Sequence, residues 1–194
     1  PENRIFVNPY GVDLSMFKPL PNIPKKYDVI MVGGWGYEKG CDLIVEAIRK
    51  TNYSFIHVGS IKDVDFPQEK NFTHIDPVDQ SKLIEYYNQA KVFILPSRQD
   101  GFGMVLSQAL ACNLPIIGSN NCGAPDLKKM VELPEYITII KDYTADAIVT
   151  AIHTAIKNYE QLGERIYAGN AIENLTWEAY GKRYANFLHK IIKQ

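Results

Sequence analysis

The chain has 194 residues, of which 46% are hydrophobic, and this is enough to bury one substantial core. Lysine and arginine together number 21 against 22 aspartates and glutamates, so there is no basic surplus for binding a nucleic-acid backbone. No apolar stretch approaches the roughly 20 residues that a membrane-spanning helix requires. The three cysteines lack metal-ligand spacing, which favours free thiols in a reducing compartment over disulfides or a zinc site.

Short runs rich in β-branched and aromatic residues alternate with helical patterns along most of the chain. The predicted strands occupy residues 4–8, 27–33, 53–59, 92–97, 115–119 and 136–140, with a weaker candidate at 72–75. Several of these runs are continuously apolar, which is typical of strands covered on both faces. Apolar residues at helical spacing lie between them, at 43–48, 83–87 and 148–156. The alternation predicts one α/β domain over residues 1–194, with a doubly wound, Rossmann-like parallel sheet of about six strands.

The last part of the chain is helical in pattern and ends in an aromatic stripe. Trp177, Tyr180 and Phe187 share one face of a helix predicted over residues 176–193, with Thr176 as its N-cap. A stripe of this kind normally packs in a core, either in this domain or against another one. We expect this helix to cross away from the helices that cover the sheet.

Ligands of parallel sheets bind beyond the carboxyl ends of the strands, so the residues that follow each strand are candidates for chemistry. After the strand at 92–97 the sequence turns through Gly101, Phe102 and Gly103 into a helix that starts near Met104. Glycines let the backbone approach a ligand closely, and the first amides of a helix carry unpaired N–H groups and the positive end of its dipole. This arrangement predicts an anion site for a phosphate or diphosphate, although a Gly-Phe-Gly sequence by itself is more often a plain turn.

Two polar residues flank this turn. Asp100 precedes it, and Gln108 falls on the second turn of the following helix, so both side chains are expected to face one crevice. A carboxylate and an amide on one wall can bind the neighbouring hydroxyls of a sugar or a ribose. The alternative is a helix-capping aspartate and a solvent-facing glutamine, which these residues alone favour.

A second glycine-rich loop, "VGGWGYEKG" (32–40), also follows a strand and precedes a helix. It lacks the Gly-Lys-Ser/Thr ending of a P-loop and the spacing of the dinucleotide-binding glycines. Gly33 and Gly34 leave the backbone open to a ligand, and Lys39 can point at a phosphate. A merely solvated lysine is the alternative, but two such loops at neighbouring strand ends favour the binding role. The Asp-x-Asp pattern at 63–65 lies in a polar loop and is interpreted as solvated, not as a metal site.

Four segments together resemble the C-terminal, donor-binding half of the retaining family-4 glycosyltransferases of the GT-B fold. They are "NPYGVDLSMFKP", "VGGWGYEKG", "AKVFILPSRQDGFGMVLSQALACNLPIIGSNNCGAPDL" and "TWEAYGKRYANFLHKII". The match covers nearly the whole chain. It implies transfer of a sugar, with retention, from a nucleotide-diphosphate sugar to a glycan, lipid or other acceptor.

The resemblance also implies roles for individual residues. The amides of the Gly-Phe-Gly turn would hold the diphosphate or sugar of the donor, and Lys39 would neutralise the leaving diphosphate. Asp100 would touch the transferred sugar, and Gln108 would bind the ribose hydroxyls. The base would lie near a third loop, formed by Asp76, Pro77 and Val78. No metal ion and no other cofactor is implied, because a helix dipole and a lysine replace the metal.

Three positions depart from the family's pattern. Gly34 stands where the family has a phosphate-clamping arginine, and Asp100 is one methylene shorter than the family's glutamate. Gln108 keeps the hydrogen-bonding capacity of the second glutamate but loses its charge. These departures leave open a degenerate, non-catalytic binding or assembly module of the same fold.

The same resemblance implies an acceptor-binding domain before residue 1. The chain opens "PENRIFVNPYG" without an initiator methionine, so we expect it to be part of a longer protein. A glycan or lipid-linked acceptor would bind through that preceding domain, and the fragment alone is expected to be inactive. These expectations fit a cytoplasmic protein whose full-length form associates peripherally with the inner face of the membrane.

Overall fold

A six-stranded parallel sheet forms the centre of the computed structural model, which describes residues 5–163 and 165–192. Its strands are β1 (Tyr27–Val32), β2 (Phe55–Val58), β3 (Phe72–Ile75), β4 (Ala90–Leu95), β5 (Ile116–Ser119) and β6 (Ile137–Ile140). The spatial order is β3-β2-β1-β4-β5-β6, and every neighbouring pair is parallel. This is the doubly wound strand order of dinucleotide-binding folds, so the predicted fold class is confirmed.

Helices connect most of the strands and flank the sheet. They are α1 (Cys41–Lys50), α2 (Gln80–Gln89), α3 (Met104–Ala111), α4 (Ala124–Lys128), α5 (Ala145–Leu162) and α6 (Trp177–Ile192), with short 3₁₀ turns at Tyr37–Lys39, Pro134–Tyr136 and Gly169–Leu175. The apolar faces predicted for α1 and α5 are buried, and these two helices pack on each other. Within the described residues, none of the helices is both long and apolar enough to cross a membrane.

The two central strands explain the continuously apolar sequence runs. Val29 and Ile30 on β1 are fully buried, as are Val92 and Phe93 on β4. Strands in the middle of a sheet covered by helices have no solvent-facing side, so alternation with polar residues is lost. The buried side chains form one contiguous core, with the three cysteines as free thiols inside it.

The strand predicted at residues 4–8 is wrong for residues 5–8, and residue 4 lies outside the described residues. Residues 5–8 are irregular, and the six strands include instead the weaker candidate at 72–75. The ring of Phe6 stacks on that of Phe187 with centroids 4.2 Å apart, and the Asn8 amide donates to the Tyr180 carbonyl at 3.2 Å. Phe6 therefore packs on a helix instead of pairing with the sheet, whereas Ile5 and Val7 are exposed.

The final helix begins where the sequence predicts, and residue 193 lies outside the described part. Thr176 caps it, because its Oγ1 accepts a hydrogen bond from the Ala179 amide at 3.1 Å. The described residues of α6 include no buried side chain. Arg183 holds the helix to the amino-terminal segment by donating to Asn8 Oδ1 at 2.6 Å and to the Pro9 carbonyl at 2.9 Å.

Gly11 controls how closely this segment approaches α6. A Cβ at Gly11 would lie 2.5 Å from the Trp177 Cα, which is backbone and cannot turn away. We expect Gly11→Ala to lower the free energy of unfolding by about 1–3 kcal/mol through overpacking. Gly181→Ala is the control: a Cβ there meets nothing within 4 Å, so the free energy should rise by up to about 1 kcal/mol through helix propensity. Urea unfolding of both variants measures the difference, and equal stability would contradict the close packing.

Candidate functional site

The strand order reverses between β1 and β4, and such a reversal opens a crevice at the carboxyl edge of a sheet. Residues 33–40 follow β1 and residues 96–103 follow β4, so both glycine loops border that crevice. Lys39 Nζ donates to Asp100 Oδ2 at 2.7 Å, and the two side chains are only 22% and 14% exposed. Two of the predicted site residues, 61 positions apart in sequence, are thus brought into direct contact.

Arg98, which no sequence motif predicts as a site residue, joins the loop after β4 to the first loop and to α1. Its guanidinium forms a bidentate ion pair with Asp42 at 2.6 and 2.8 Å, and the hydrogen bond to this carboxylate raises the pKa of Arg98. The same group donates to the Tyr37 carbonyl and lies 3.7 Å from the centre of the Tyr37 ring. The available signal was its position between a buried strand and a glycine turn.

The two glycines of the Gly-Phe-Gly turn have different structural roles. Gly103 adopts a left-handed conformation, with φ of 78°, and a Cβ there would lie 2.9 Å from Leu95 Cδ2. A Cβ at Gly101 would meet nothing within 4 Å, so packing within the described chain does not require glycine there. Gly101 and Phe102 line a cavity of about 450 Å³ together with Asp100.

Backbone amides around this turn are available as donors. Within the part of the chain that the structure describes, the N–H groups of residues 101–105 donate no hydrogen bond, whereas the Leu106 amide already donates to the Gly103 carbonyl at 2.8 Å. The turn is held from behind by the loop after β5, where the Gly123 amide donates to the Phe102 carbonyl at 2.7 Å. A fixed run of unpaired N–H groups at a helix start is the arrangement that binds phosphate and carboxylate groups.

Asp100 and Gln108 line two different cavities, contrary to the expectation of one crevice. Gln108 lies with Met104 and Trp177 in a separate cavity of about 200 Å³. Gln108 is only 7% exposed, and its Oε1 accepts from the Tyr87 hydroxyl at 2.9 Å. Burial raises the pKa of Tyr87 well above its usual value, so this hydroxyl stays protonated and donates.

The alternative interpretation, a helix-capping Asp100 and a solvent-facing Gln108, is also wrong. Gln108 does not face solvent, because it is buried in the second turn of α3. Asp100 does not cap α3, since the N-cap is Gly103 and no side-chain hydrogen bond caps the helix. Asp100 is instead held by Lys39 and by its own amide, which donates to the Asn121 carbonyl at 3.0 Å.

The third predicted loop meets the first one at the ends of β1, β2 and β3. Gly33, Gly34, Pro77 and Val78 line one cavity of about 220 Å³ at this edge. The structure therefore brings Gly33 and Gly34 of the first loop together with Pro77 and Val78 of the loop predicted for the base, whereas Lys39 does not line this cavity. Asp76 lies beside it with a side chain that is 93% exposed.

Two stacked histidines, His57 on β2 and His74 on β3, link the first loop to β3. His57 is fully buried, and its Nε2 donates to the Gly33 carbonyl at 2.8 Å, because a carbonyl oxygen can only accept. Burial lowers the pKa of His57 to about 4, so the ring is neutral and its Nδ1 accepts from His74 Nδ1 at 2.9 Å. His74 Nε2 lies 3.3 Å from Asp76 Oδ1. Hydrogen bonds thus run from the Gly33 carbonyl through His57 to His74.

A doubly wound domain with glycine loops and unpaired amides at its carboxyl edge has the architecture of a nucleotide-binding protein. The family model for glycosyl transferases group 1 matches residues 14–171, which is most of the chain. The chain belongs to this family.

Three similar proteins illustrate the match. The probable sucrose-phosphate synthase of Thermosipho melanesiensis is 24% identical over 210 residues, which cover 97% of this chain and 48% of that protein. The C-terminal domain of a glycosyl transferase group 1 family protein from Francisella tularensis has a TM-score of 0.68 at 21% identity, covering 84% of this chain and 95% of that one. Anabaena Alr3699/HepE, solved in complex with UDP and glucose, has a TM-score of 0.71 at 16% identity, covering 92% of this chain and 55% of that one. This chain thus spans about half the length of the curated relative.

The buried histidine makes a prediction for acid stability. His57 takes up its proton near pH 4 in the folded chain and near 6.5 when unfolded, so the unfolded state binds more protons between these values. The free energy of unfolding should therefore fall as the pH drops from 6.5 to 4, by up to about 3 kcal/mol on account of His57.

His57→Gln keeps a donor for the Gly33 carbonyl but cannot titrate, so this part of the pH dependence should disappear. Urea unfolding between pH 4.5 and 7 measures it, with His153→Gln as a control at an exposed histidine on α5. A slope that stays the same in His57→Gln would rule out His57 as its source.

Proposed function

We propose that this chain is the donor-binding domain of a retaining, metal-independent glycosyltransferase that uses a nucleotide-diphosphate sugar. The observation that carries the proposal is the Lys39–Asp100 pair at the β1–β4 reversal, beside the unpaired amides of residues 101–105. A diphosphate needs cations and N–H donors, whereas a sugar needs a carboxylate that accepts from its hydroxyls. Both kinds of group meet at this edge. The similar Anabaena structure, solved with UDP and glucose, supports a donor of this class.

The chemistry follows from how charge develops during transfer. When the bond between sugar and diphosphate breaks, negative charge builds up on the diphosphate oxygens, and donors already aimed at that position stabilise it. Lys39 and the amides of the turn supply these donors. As Lys39 turns to the phosphate, the Asp100 carboxylate is released to accept hydrogen bonds from the sugar. Because the lysine offsets phosphate charge and the amides donate hydrogen bonds to it, this arrangement does not require a divalent cation.

The acceptor, a glycan or a lipid-linked group, would bind to a further domain of the full-length protein. The relative from Thermosipho is about twice as long as this chain, which leaves room for such a domain. Transfer needs acceptor and donor held together away from water, and one wall of a cleft cannot do this. The fragment alone would therefore bind donor without transferring it. A cytoplasmic protein that associates peripherally with the inner face of the membrane belongs to the same proposal.

A second candidate is a non-catalytic nucleotide-sugar binding or assembly module. Two observations favour it. Gly34 contributes no side chain to the first loop, and Gln108 Oε1 is already engaged by Tyr87. Such a module would keep the fold and the binding edge while lacking turnover in the full-length protein.

Calorimetric titration of the chain with UDP, GDP and ADP, in the presence of a chelator, tests the proposal. We expect one of the three to bind with a dissociation constant well below the millimolar range, and the corresponding nucleotide sugar to release no sugar. If none binds at millimolar concentration, the donor-binding proposal fails. Efficient transfer by the fragment alone would instead show that the acceptor site lies within this chain.

Lys39→Ala is expected to weaken binding of that nucleoside diphosphate by about 1–3 kcal/mol, the usual contribution of a charge-assisted hydrogen bond. Asp100→Asn is the matched control, because it breaks the same ion pair but leaves the cation in place. Its affinity for the diphosphate should be unchanged or higher. Calorimetry on both variants measures this, and full affinity in Lys39→Ala would remove Lys39 from the site.

A further inference from the structure

The side chain of Lys62 fills the space where Gly34 has no side chain. A Cβ at Gly34 would lie 2.6 Å from Lys62 Cε, 3.1 Å from Cδ and 3.4 Å from Nζ. The end of this lysine therefore lies directly over the first loop, at a glycine that lines the 220 Å³ cavity. Lys62 belongs to the loop after β2, so it reaches this position from the neighbouring strand.

The backbone around Lys62 is held firmly against the first loop. The Trp35 amide donates to the Ser60 carbonyl at 2.7 Å, and the Lys62 amide donates to the Trp35 carbonyl at 3.0 Å. Asp63 Oδ1 accepts from the Tyr37 amide at 2.8 Å. Trp35 itself is fully buried. These contacts fix the backbone of Lys62, and its side chain extends along the first loop to Gly34.

The Lys62 ammonium has no partner of its own. Within residues 5–163 and 165–192 it makes no ion pair and donates no hydrogen bond, in contrast to Lys39 with Asp100 and Lys91 with Asp28. The neighbouring Asp63 accepts from the Tyr37 amide through Oδ1 and forms no ion pair with Lys62 among the described residues. One cation, Lys39, is thus paired at the far end of the first loop, and a second, Lys62 of the neighbouring loop, lies unpaired over its near end.

We propose that Lys62 is the second cation for the donor diphosphate, supplied across the sheet edge in place of a side chain at position 34. This inference rests on the proposed function. Lys62 binds the diphosphate from the β2 side of the first loop, and Lys39 binds it from the β4 side. A lysine ammonium is a single mobile charge, whereas an arginine guanidinium is planar and can donate two parallel hydrogen bonds. Lys62 therefore offsets phosphate charge without binding in a bidentate manner.

The chain with Lys62→Met tests this, with Lys70→Met as the matched control. Lys70 is an exposed lysine near the amino end of β3, at the opposite edge of the sheet. Lys62→Met should weaken binding of the preferred nucleoside diphosphate about tenfold or more, while the affinity for the corresponding nucleoside changes less than about twofold. Lys70→Met should change neither.

Each outcome of the titrations decides something different. Full diphosphate affinity in Lys62→Met overturns the role of Lys62 but leaves the proposed function standing. An equal loss for diphosphate and nucleoside would assign Lys62 a structural role in the loop and also overturn the proposal. Wild-type protein that binds none of UDP, GDP and ADP overturns the proposed function, and the role of Lys62 with it.

A second test moves the positive charge from position 62 to position 34. Damage to the loop could not give the result expected from it. The backbone at Gly34 is not in the left-handed region, so an arginine is compatible with its conformation, but its Cβ would collide with the Lys62 side chain. The double variant Gly34→Arg/Lys62→Ala removes that collision. It should recover diphosphate affinity to within about threefold of wild type, whereas Lys62→Ala alone should not. A double variant as weak as Lys62→Ala would contradict the proposal.

Discussion

The reversal of winding between β1 and β4 is the constraint on which the candidate site depends. These two strands pair in parallel in the middle of the sheet, with Val29 opposite Val92 and Ile30 opposite Phe93. That register sets both carboxyl ends at the same height, while the connections lead away in opposite directions. The loops that follow are therefore neighbours in space without being neighbours in sequence, and Arg98 fastens them together. The contact between Lys39 and Asp100 is a consequence of this strand pairing.

The sequence predicted the sheet well because continuous apolar runs and helical spacing are local properties. It failed at residues 5–8, where the apolar pattern was equally strong but its partner was different. A run of apolar residues does not show that the run pairs with the sheet: here Phe6 packs on Phe187 of α6, and Ile5 and Val7 are exposed. The weaker run at 72–75 forms β3, because it pairs in parallel with the outer side of β2.

The location of the candidate site could be predicted from the sequence, whereas the contacts within it could not. Strand ends can be read from the sequence, so both glycine loops and Lys39 were identified from their positions. The contacts of Gln108 with Tyr87, of His57 with His74 and of Lys62 with Gly34 join different elements and depend on side-chain directions. None leaves a periodic or spacing signal. Arg98 was missed for the same reason, since its partners Tyr37 and Asp42 lie more than fifty residues earlier.

The ion pair at the crevice has a consequence for how quickly and how tightly an anion can be bound. A lysine in solvent samples many rotamers, and fixing it on binding costs up to roughly 2 kcal/mol of side-chain entropy. Asp100 already restricts the rotamers of Lys39, so much of this side-chain entropy is lost on folding, before any ligand binds. A phosphate that binds here would have to compete with Asp100 for the same ammonium group. The aspartate thus confines the lysine in advance but also holds it back, so the two effects of the ion pair on the affinity for an anion oppose each other.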